Sequence, residues 1–417
     1  MNAAMKRMRA SVREALGLNA RRRRRVHSSA IVSAGRDAAA VWEVIANMLL
    51  RFGGASAGNS VEVYCDGDET LEAMWNAIDG ARTRVWHETY ILEPDRVGTR
   101  TIEALAAAAK RGCQVRLLYD AVGSPRITEA CLKPLRDAGA EIDRFNPLFT
   151  WKRRPGFLQR DHRKITIIDD HTAFAGGINT SEDYAGQRHG RCTFQDCHAR
   201  LRGPCVRDLA NVTLASLGLV RDVPRRLTGP RARRTGRTFV QVLVSRGGLG
   251  RRRLQRAIRL TVRHSVERCW ITNPYFLPPQ RLMSAMKKAA KRGVDVRVLT
   301  AGRSDVPIVR AASQHIYGDL LKHRVRIFEY FNSTLHAKTM TIDGLYGTVG
   351  SFNLDTWSDK RNLEVNVGMI DADMARVLEE QFETNLTGAK EVVLDAWIKR
   401  SRWRRLLHWC AYQLMRL

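Results

Sequence analysis

Hydrophobic and polar positions first fall into a regular pattern at residues 61–64, an alternating run that predicts a strand. Residues 69–82 then place Leu71, Met74, Trp75 and Ile78 at helical spacing, which predicts a helix. A strand over 84–92, an alanine-rich helix over 99–111 stopped by Gly112, and a strand over 115–119 continue the alternation. This βαβ rhythm predicts an α/β sheet. After a basic, proline-containing stretch (221–237) the rhythm returns: helix 254–266, strand 269–273, helix 280–292, Gly293, strand 296–299.

The return extends to the letters. Residues 109–118 read AKRGCQVRLL and residues 290–299 read AKRGVDVRVL. Tyr90 in TYIL and Tyr275 in PYFL precede these segments by nearly the same distance. Two copies about 180 residues apart predict two similar domains facing each other rather than a solenoid. Duplication also predicts one shared site on the pseudo-two-fold axis.

The chemistry-bearing repeat lies late in each copy. His162, Lys164, Asp169 and then Gly176-Gly177-Ile178-Asn179 match His336, Lys338, Asp343 and then Gly350-Ser351-Phe352-Asn353. Both read H-x-K-x4-D-x6-G-[GS]-x-N with every offset kept. The β-branched run after each lysine predicts a strand, and period two puts histidine and lysine on one face. The aspartate has the opposite parity, so Asp169 and Asp343, although members of the catalytic motif, are read as holding a turn. If residues 170–171 form the hairpin tip, Asn179 lies opposite His162 and Gly176 opposite Ile165. The same pairing about residues 344–345 sets Asn353 opposite His336.

Two such clusters suit a phosphodiester. Lysines and asparagine amides can hold its non-bridging oxygens. One imidazole can attack phosphorus while the other protonates the leaving alcohol and then deprotonates the incoming one. Fixed cations stabilise the charge, so no metal or other cofactor is expected, and no carboxylate cluster suits Mg²⁺. Each histidine should have a carboxylate that fixes its tautomer and favours the protonated form. The candidates are Asp196, 34 residues after His162, and Glu364, 28 residues after His336, each placed with the histidine it follows.

Charge sharpens the choice of partner. The 417 residues carry 70 Lys+Arg against 42 Asp+Glu, a formal charge of +28, which points to a polyanion: nucleic acid or an anionic membrane surface. A hydrophobic fraction of 44% excludes a largely disordered chain. No apolar run reaches the ~18–20 residues of a spanning helix; the best, residues 38–50, contains Glu43. Eight cysteines form no C-x-x-C pair, which favours reduced thiols; the spacing of Cys192, Cys197 and Cys205 is wrong for a zinc knuckle.

The domain plan is a basic tail and leading helix over 1–57, a first lobe over 58–220, a basic linker over 221–237, a second lobe over 238–388, and a basic amphipathic helix over 389–417. The tail reads as a solvated arm, a polybasic membrane tether or an organelle transit peptide. In the C-terminal stretch, Trp397, Trp403, Leu406, Leu407 and Trp409 interleave with Lys and Arg. That fits a helix lying in a headgroup layer, or one packed on the core with a basic outer face.

At these motifs the chain resembles the phospholipase D superfamily, and within it the bacterial-type cardiolipin synthase branch. The long matching passages include GNSVEVYCDGDETLEAM, DHRKITIIDD with GGINTSEDYAG, TNPYFLPPQRLMSAMKKAAKRGVDVRVLTAG and GSFNLDTWSDKRNLEVNV. The resemblance implies two similar phospholipase D-like lobes, a mixed sheet flanked by helices, and one active site at their interface. It implies transfer of a phosphatidyl group from phosphatidylglycerol to a second phospholipid alcohol through a phosphohistidine. His162 would be the nucleophile and His336 the acid/base; Lys164, Lys338, Asn179 and Asn353 would bind phosphate. Many relatives carry an aromatic residue just before the aspartate where this chain reads RHGRCTFQD, with Phe194 displaced. Most of the branch begins with spanning helices where this chain has a basic tail, so it resembles the shorter, membrane-peripheral type. The expected location is the cytoplasmic face of the cell membrane, or the mitochondrion if the tail is a transit peptide. The alternatives are a hydrolase of the same superfamily, a phosphodiesterase acting on nucleic acid, and a non-catalytic binding module. Nucleic acid is disfavoured because no basic groove interleaved with stacking aromatics is evident.

Overall fold

The computed structural model describes residues 42, 45–147, 159–245, 247–354 and 362–415. In the first lobe β1 (Gly54–Tyr64) leads through α1 (Gly67–Asp79) to β2 (Arg84–Thr89), α2 (Arg96–Lys110), β3 (Gln114–Asp120), α3 (Glu129–Asp137) and β4 (Glu141–Phe145). Then come β5 (Arg160–Asp161), the hairpin β6 (Ile165–Ile168) and β7 (Thr172–Gly176), β8 (Phe194–Gln195), β9 (His198–Arg202) and α4 (Val206–Leu217). The second lobe repeats the plan. It runs β10 (Thr238–Ser245), α5 (Gly247–His264), β11 (Arg268–Thr272), α6 (Gln280–Lys291), β12 (Asp295–Ala301), α7 (Pro307–Lys322) and β13 (Arg326–Tyr330). After it follow β14 (Thr334–Leu335), β15 (Thr339–Ile342), β16 (Tyr346–Gly350), β17 (Asn362–Ile370) and α8 (Ala372–Leu386). The chain closes with β18 (Ala389–Glu391), α9 (Leu394–Ile398) and α10 (Arg402–Leu414).

Local chemistry explains the repeat. Asp95 caps α2 by accepting from the Gly98 N–H at 2.9 Å, and the helix buries Val97, Ile102 and Leu105. The glycines of the two AKRG segments, Gly112 and Gly293, take φ of +92° and +96° just past their helices, where a side chain would be strained.

All the long strands join one mixed sheet, ordered β18-β13-β12-β11-β15-β16-β17-β10-β1-β9-β7-β6-β2-β3-β4. Antiparallel β1 and β10 lie at its centre, with Gly54 facing Val242 and Asn59 facing Thr238. Outward from that pair the order is the same on both sides, so the pseudo-two-fold passes between them. Strands β2-β3-β4 and β11-β12-β13 run parallel, and each H-x-K segment lies past the C-terminal end of the first of them. Ligands of open α/β sheets bind beyond such strand ends.

One boundary differs from expectation. Trp42, Ile45 and Leu49, assigned to the tail and leading helix, are buried with Leu254, Ile271 and Met286 in the second lobe's core. Trp42 stacks on Tyr346 at 5.2 Å. Each such side chain contributes about 1.5–3 kcal/mol. The described residues of the apolar stretch 38–50 thus belong to a core. Residues 1–41, the basic arm, lie outside the described residues. The basic linker has no regular element but is tied down, with Arg231 bound to Asp208 at 2.9 Å and Leu227 N–H to Asn211 at 2.8 Å.

Candidate active site

Two short parallel pairings lock the lobes together. In one, β5 runs beside β17, pairing Asp161 with Leu363, and the His162 N–H donates to the Leu363 carbonyl at 3.1 Å. In the other, β14 runs beside β8, pairing Leu335 with Gln195, and the His336 N–H donates to the Gln195 carbonyl at 2.8 Å. The residue following each partner is a carboxylate: Glu364 after Leu363, Asp196 after Gln195.

The carboxylates therefore cross. His162 Nδ1 lies 3.0 Å from Glu364 Oε2, and His336 Nδ1 lies 2.5 Å from Asp196 Oδ2. Both residues are the sequence candidates, but each serves the histidine of the opposite half, which corrects the pairing expected from chain order. The reason is the closure of the lobes, since the strand that leads to each histidine is stitched to the other lobe's return strand. A second correction concerns register. Ile165 faces Ala175 and Thr339 faces Val349, one residue away from the expected pairing. The first turn takes three residues, 169–171, with Asp169 and Asp170 both at positive φ. Asn179 and Asn353 thus do not face the histidines across a ladder, although both are buried beside the hairpins that carry them.

Asp169 and Asp343, included among the catalytic candidates, lie at the far end of the strands from the histidines. Asp169 accepts from the backbone N–H groups of Arg82, Thr83 and Arg84 at 2.8–2.9 Å. Asp343 does the same for Val266, Glu267 and Arg268 at 2.8–3.1 Å. Burial pushes the Asp169 carboxyl up, but these N–H donors outweigh it and hold it below the ordinary value. Both aspartates fasten the hairpin turn to the start of the neighbouring parallel strand, as their parity suggested.

The lysines lie within the cluster. Lys164 Nζ donates to the His162 carbonyl at 2.7 Å and lies 5.3 Å from the Tyr90 ring centre. Lys338 Nζ is 2.8 Å from His336 Nδ1 and 3.9 Å from Asp196. Burial brings Lys164 down to about 7, with Glu364 opposing the shift and Lys338 reinforcing it. Burial also takes His336 down to about 4; Lys338 adds to this and Asp196 opposes it. His162 is likewise lowered by burial against the pull of Glu364, with Lys164 and Lys338 reinforcing. Each histidine feels the lysine of the other lobe, so the two clusters share one field. Burial would raise Asp196, but Lys338 and His336 hold it below its ordinary value. Burial thus outweighs each carboxylate, so the protonated form expected from the sequence is disfavoured at both rings; a carboxylate at each Nδ1 keeps the proton there and leaves the Nε2 lone pair for chemistry.

Several supporting residues were not singled out from the sequence for this role. The Tyr184 hydroxyl lies 3.4 Å from His336 Nε2, and Tyr184 stacks on Phe194 at 4.7 Å. Phe194, noted only as displaced, meets the His336 ring edge-on at 5.4 Å. Tyr90 meets His162 at 4.8 Å; its repeat position was the available signal. Ser351 donates to Glu364 at 2.5 Å. A Cβ at the matching Gly177 would come within 2.1 Å of the Asp196 carboxylate, so only glycine fits there. Arg163 is fully buried, bonded to Ser216 at 2.7 Å, which in turn donates to Glu88 at 2.6 Å.

Doubled H-x-K segments, interlocked across two halves of one mixed sheet, define an enzyme of the phospholipase D type. The family described as "Cardiolipin synthase, PLD-like domain" matches residues 74–189 and 258–386, and the chain belongs to that family. It is similar to cardiolipin synthase 1 of Bacillus anthracis, 28% identical over 87% of this chain and 74% of that one. It is also similar to cardiolipin synthase 2 of the same organism, 32% identical over 84% of this chain and 69% of that one. Among solved structures, phosphatidylserine synthase of Haemophilus influenzae superposes with a TM-score of 0.65, covering 85% of this chain and 93% of that one. At 14% identity that likeness shows the fold alone.

Proposed function

We propose that this chain transfers a phosphatidyl group from phosphatidylglycerol to the hydroxyl of a second phospholipid, forming cardiolipin and releasing glycerol. The observation that carries the reading is the crossed pair of carboxylate–histidine contacts, by which each imidazole is held through Nδ1 by the opposite lobe and lies in the field of both lysines. His162 Nε2 attacks the donor phosphorus, a P–N bond forms, and the P–O bond to glycerol breaks as His336 delivers a proton to that oxygen. Neutral His336 then takes the proton from the acceptor hydroxyl. The acceptor oxygen attacks phosphorus, and His162 leaves. Lys164 and Lys338 hold the non-bridging oxygens, and an anionic substrate draws both Lys164 and His336 back to their charged forms, which supplies the proton that His336 delivers. Tyr184 supports this division, since its hydroxyl lies at His336 Nε2 while among the described contacts His162 Nε2 has no such neighbour.

The same reading makes the protein peripheral on an anionic bilayer. Among the described residues no helix is long and apolar enough to cross a membrane. Helix α10 packs Tyr412 against His315 of α7, yet leaves Trp403 75% and Leu407 64% exposed beside Arg402, Arg404 and Arg405. Those residues suit a headgroup layer. The test is purified protein on liposomes of labelled phosphatidylglycerol. Cardiolipin plus glycerol is the expected product; phosphatidic acid alone would replace transfer by hydrolysis, and no turnover would overturn the reading.

A further inference from the structure

Beside the second motif lies a cavity of about 460 Å³ between α5 and α6, lined by Arg252, Arg256, Arg259 and Arg281. Its apolar lining includes Ile258, Leu282 and Leu354. Arg252, Arg256 and Arg259 recur at helical spacing, so three like charges share one face of α5, an arrangement that destabilises a helix. None of the four arginines has an ion pair or hydrogen bond among the described residues. Several exposed arginines elsewhere do have acidic partners: Arg100 pairs with Asp79, Arg136 with Glu129 and Arg376 with Glu380.

The pseudo-symmetry makes this a selective feature. The counterpart of α5 is α1, which follows the central strand in the same way and carries Asp68, Glu69, Glu72 and Asp79. The first lobe thus has acid where the second has unpaired guanidinium groups. The cavity also adjoins the catalytic loop, since Leu354 follows Asn353 and its N–H is held by Asn273 at 3.1 Å.

We propose that this cavity binds the phosphodiester of a glycerophospholipid, with the guanidinium groups on the phosphate and the apolar lining under the glycerol backbone and first acyl carbons. Resting on the transfer reading above, that lipid is the acceptor, whose own phosphate must be held while its hydroxyl enters the site. Water needs no such site, so the cavity favours transfer over hydrolysis.

The test compares the full chain with its Arg252→Ala/Arg256→Ala/Arg281→Ala variant. On phosphatidylglycerol vesicles the variant should form cardiolipin about tenfold more slowly, the loss of roughly one charge-assisted contact. Cleavage of the water-soluble bis(p-nitrophenyl) phosphate should stay within about twofold, and Tm should not fall because like charges are removed. Direct binding is read by calorimetry in a His162→Ala background with dihexanoyl phosphatidylglycerol below its micellar concentration. The expected result is a saturable site lost with the three arginines. Equal binding of inorganic phosphate would overturn the lipid assignment, as would tighter binding of a short oligonucleotide. Parallel loss of both activities, or loss of neither, would overturn the acceptor role. If the parent chain makes only phosphatidic acid, the transfer reading and the acceptor role fail, while the calorimetric arm still decides whether the lipid site exists.

Discussion

The two H-x-K clusters stand on nearly the same backbone and differ in what surrounds the rings. In the first, His162 meets Glu364, a longer carboxylate that also accepts from Ser351. In the second, His336 meets Asp196, a shorter carboxylate pressed on Gly177, with Lys338 at the same nitrogen and Tyr184 at the other. The repeat carries the symmetry, and small changes at the carboxylate and its neighbour break it. Where a Cβ is present, at Ser351, the partner is glutamate; where it is absent, at Gly177, the partner is aspartate.

The largest effect should come from the histidines themselves. His162→Ala and His336→Ala should each cost about 10³–10⁶ in kcat. They should part company on a substrate with a good leaving group, where His336→Ala recovers and His162→Ala does not. Acid quench and mass spectrometry of the His336→Ala enzyme should find the phosphoryl adduct on His162; an adduct on residue 336 of the His162→Ala enzyme would reverse the roles. Next, Glu364→Gln and Asp196→Asn should each lower kcat by about 10²–10⁴, because the wrong tautomer is held. By the crossing, Glu364→Gln should abolish adduct formation on His162 although the two residues belong to different lobes.

Exchanging the neighbours separates the clusters further. Gly177→Ser should cost about a hundredfold, as its Cβ collides with Asp196, while Ser351→Gly loses one hydrogen bond and about tenfold. Similar losses in both would mean that the asymmetry is incidental. Acidity gives a milder effect. Because Lys164 sits at about 7 in the free enzyme, kcat/KM should fall as pH rises above 7 while kcat, which reports the bound state, falls at higher pH. A flat kcat/KM between pH 7 and 9 would remove Lys164 from phosphate binding. The smallest effect on chemistry is expected at Asp169→Asn: activity per folded molecule unchanged, stability lower by about 1–3 kcal/mol in denaturant melts. Since its folded pKa is lowered, that stability is present at neutral pH and lost as pH falls through the folded value.

Much of this was legible in the letters. The doubled spacing located the histidines and lysines, period two assigned Asp169 and Asp343 to turns, and the return strands yielded Asp196 and Glu364. The crossing was not legible, because β5, β8 and β14 are two residues long and carry no periodicity. Nor was the hairpin register, which depends on two consecutive positive-φ residues, Asp169 and Asp170 in the first hairpin and Asp343 and Gly344 in the second. The membership of Trp42 in the second lobe's core needed the sheet to close first, since nothing local distinguishes that helix from a leader.

The reciprocal carboxylates carry a consequence for how the molecule comes into being. A chain emerging from the ribosome completes its first histidine some two hundred residues before the glutamate that orients it, and its first aspartate long before the histidine it serves. On the proposed mechanism, neither half alone should turn over substrate. On the same mechanism, a protein cut between the halves should be silent unless its fragments find each other again.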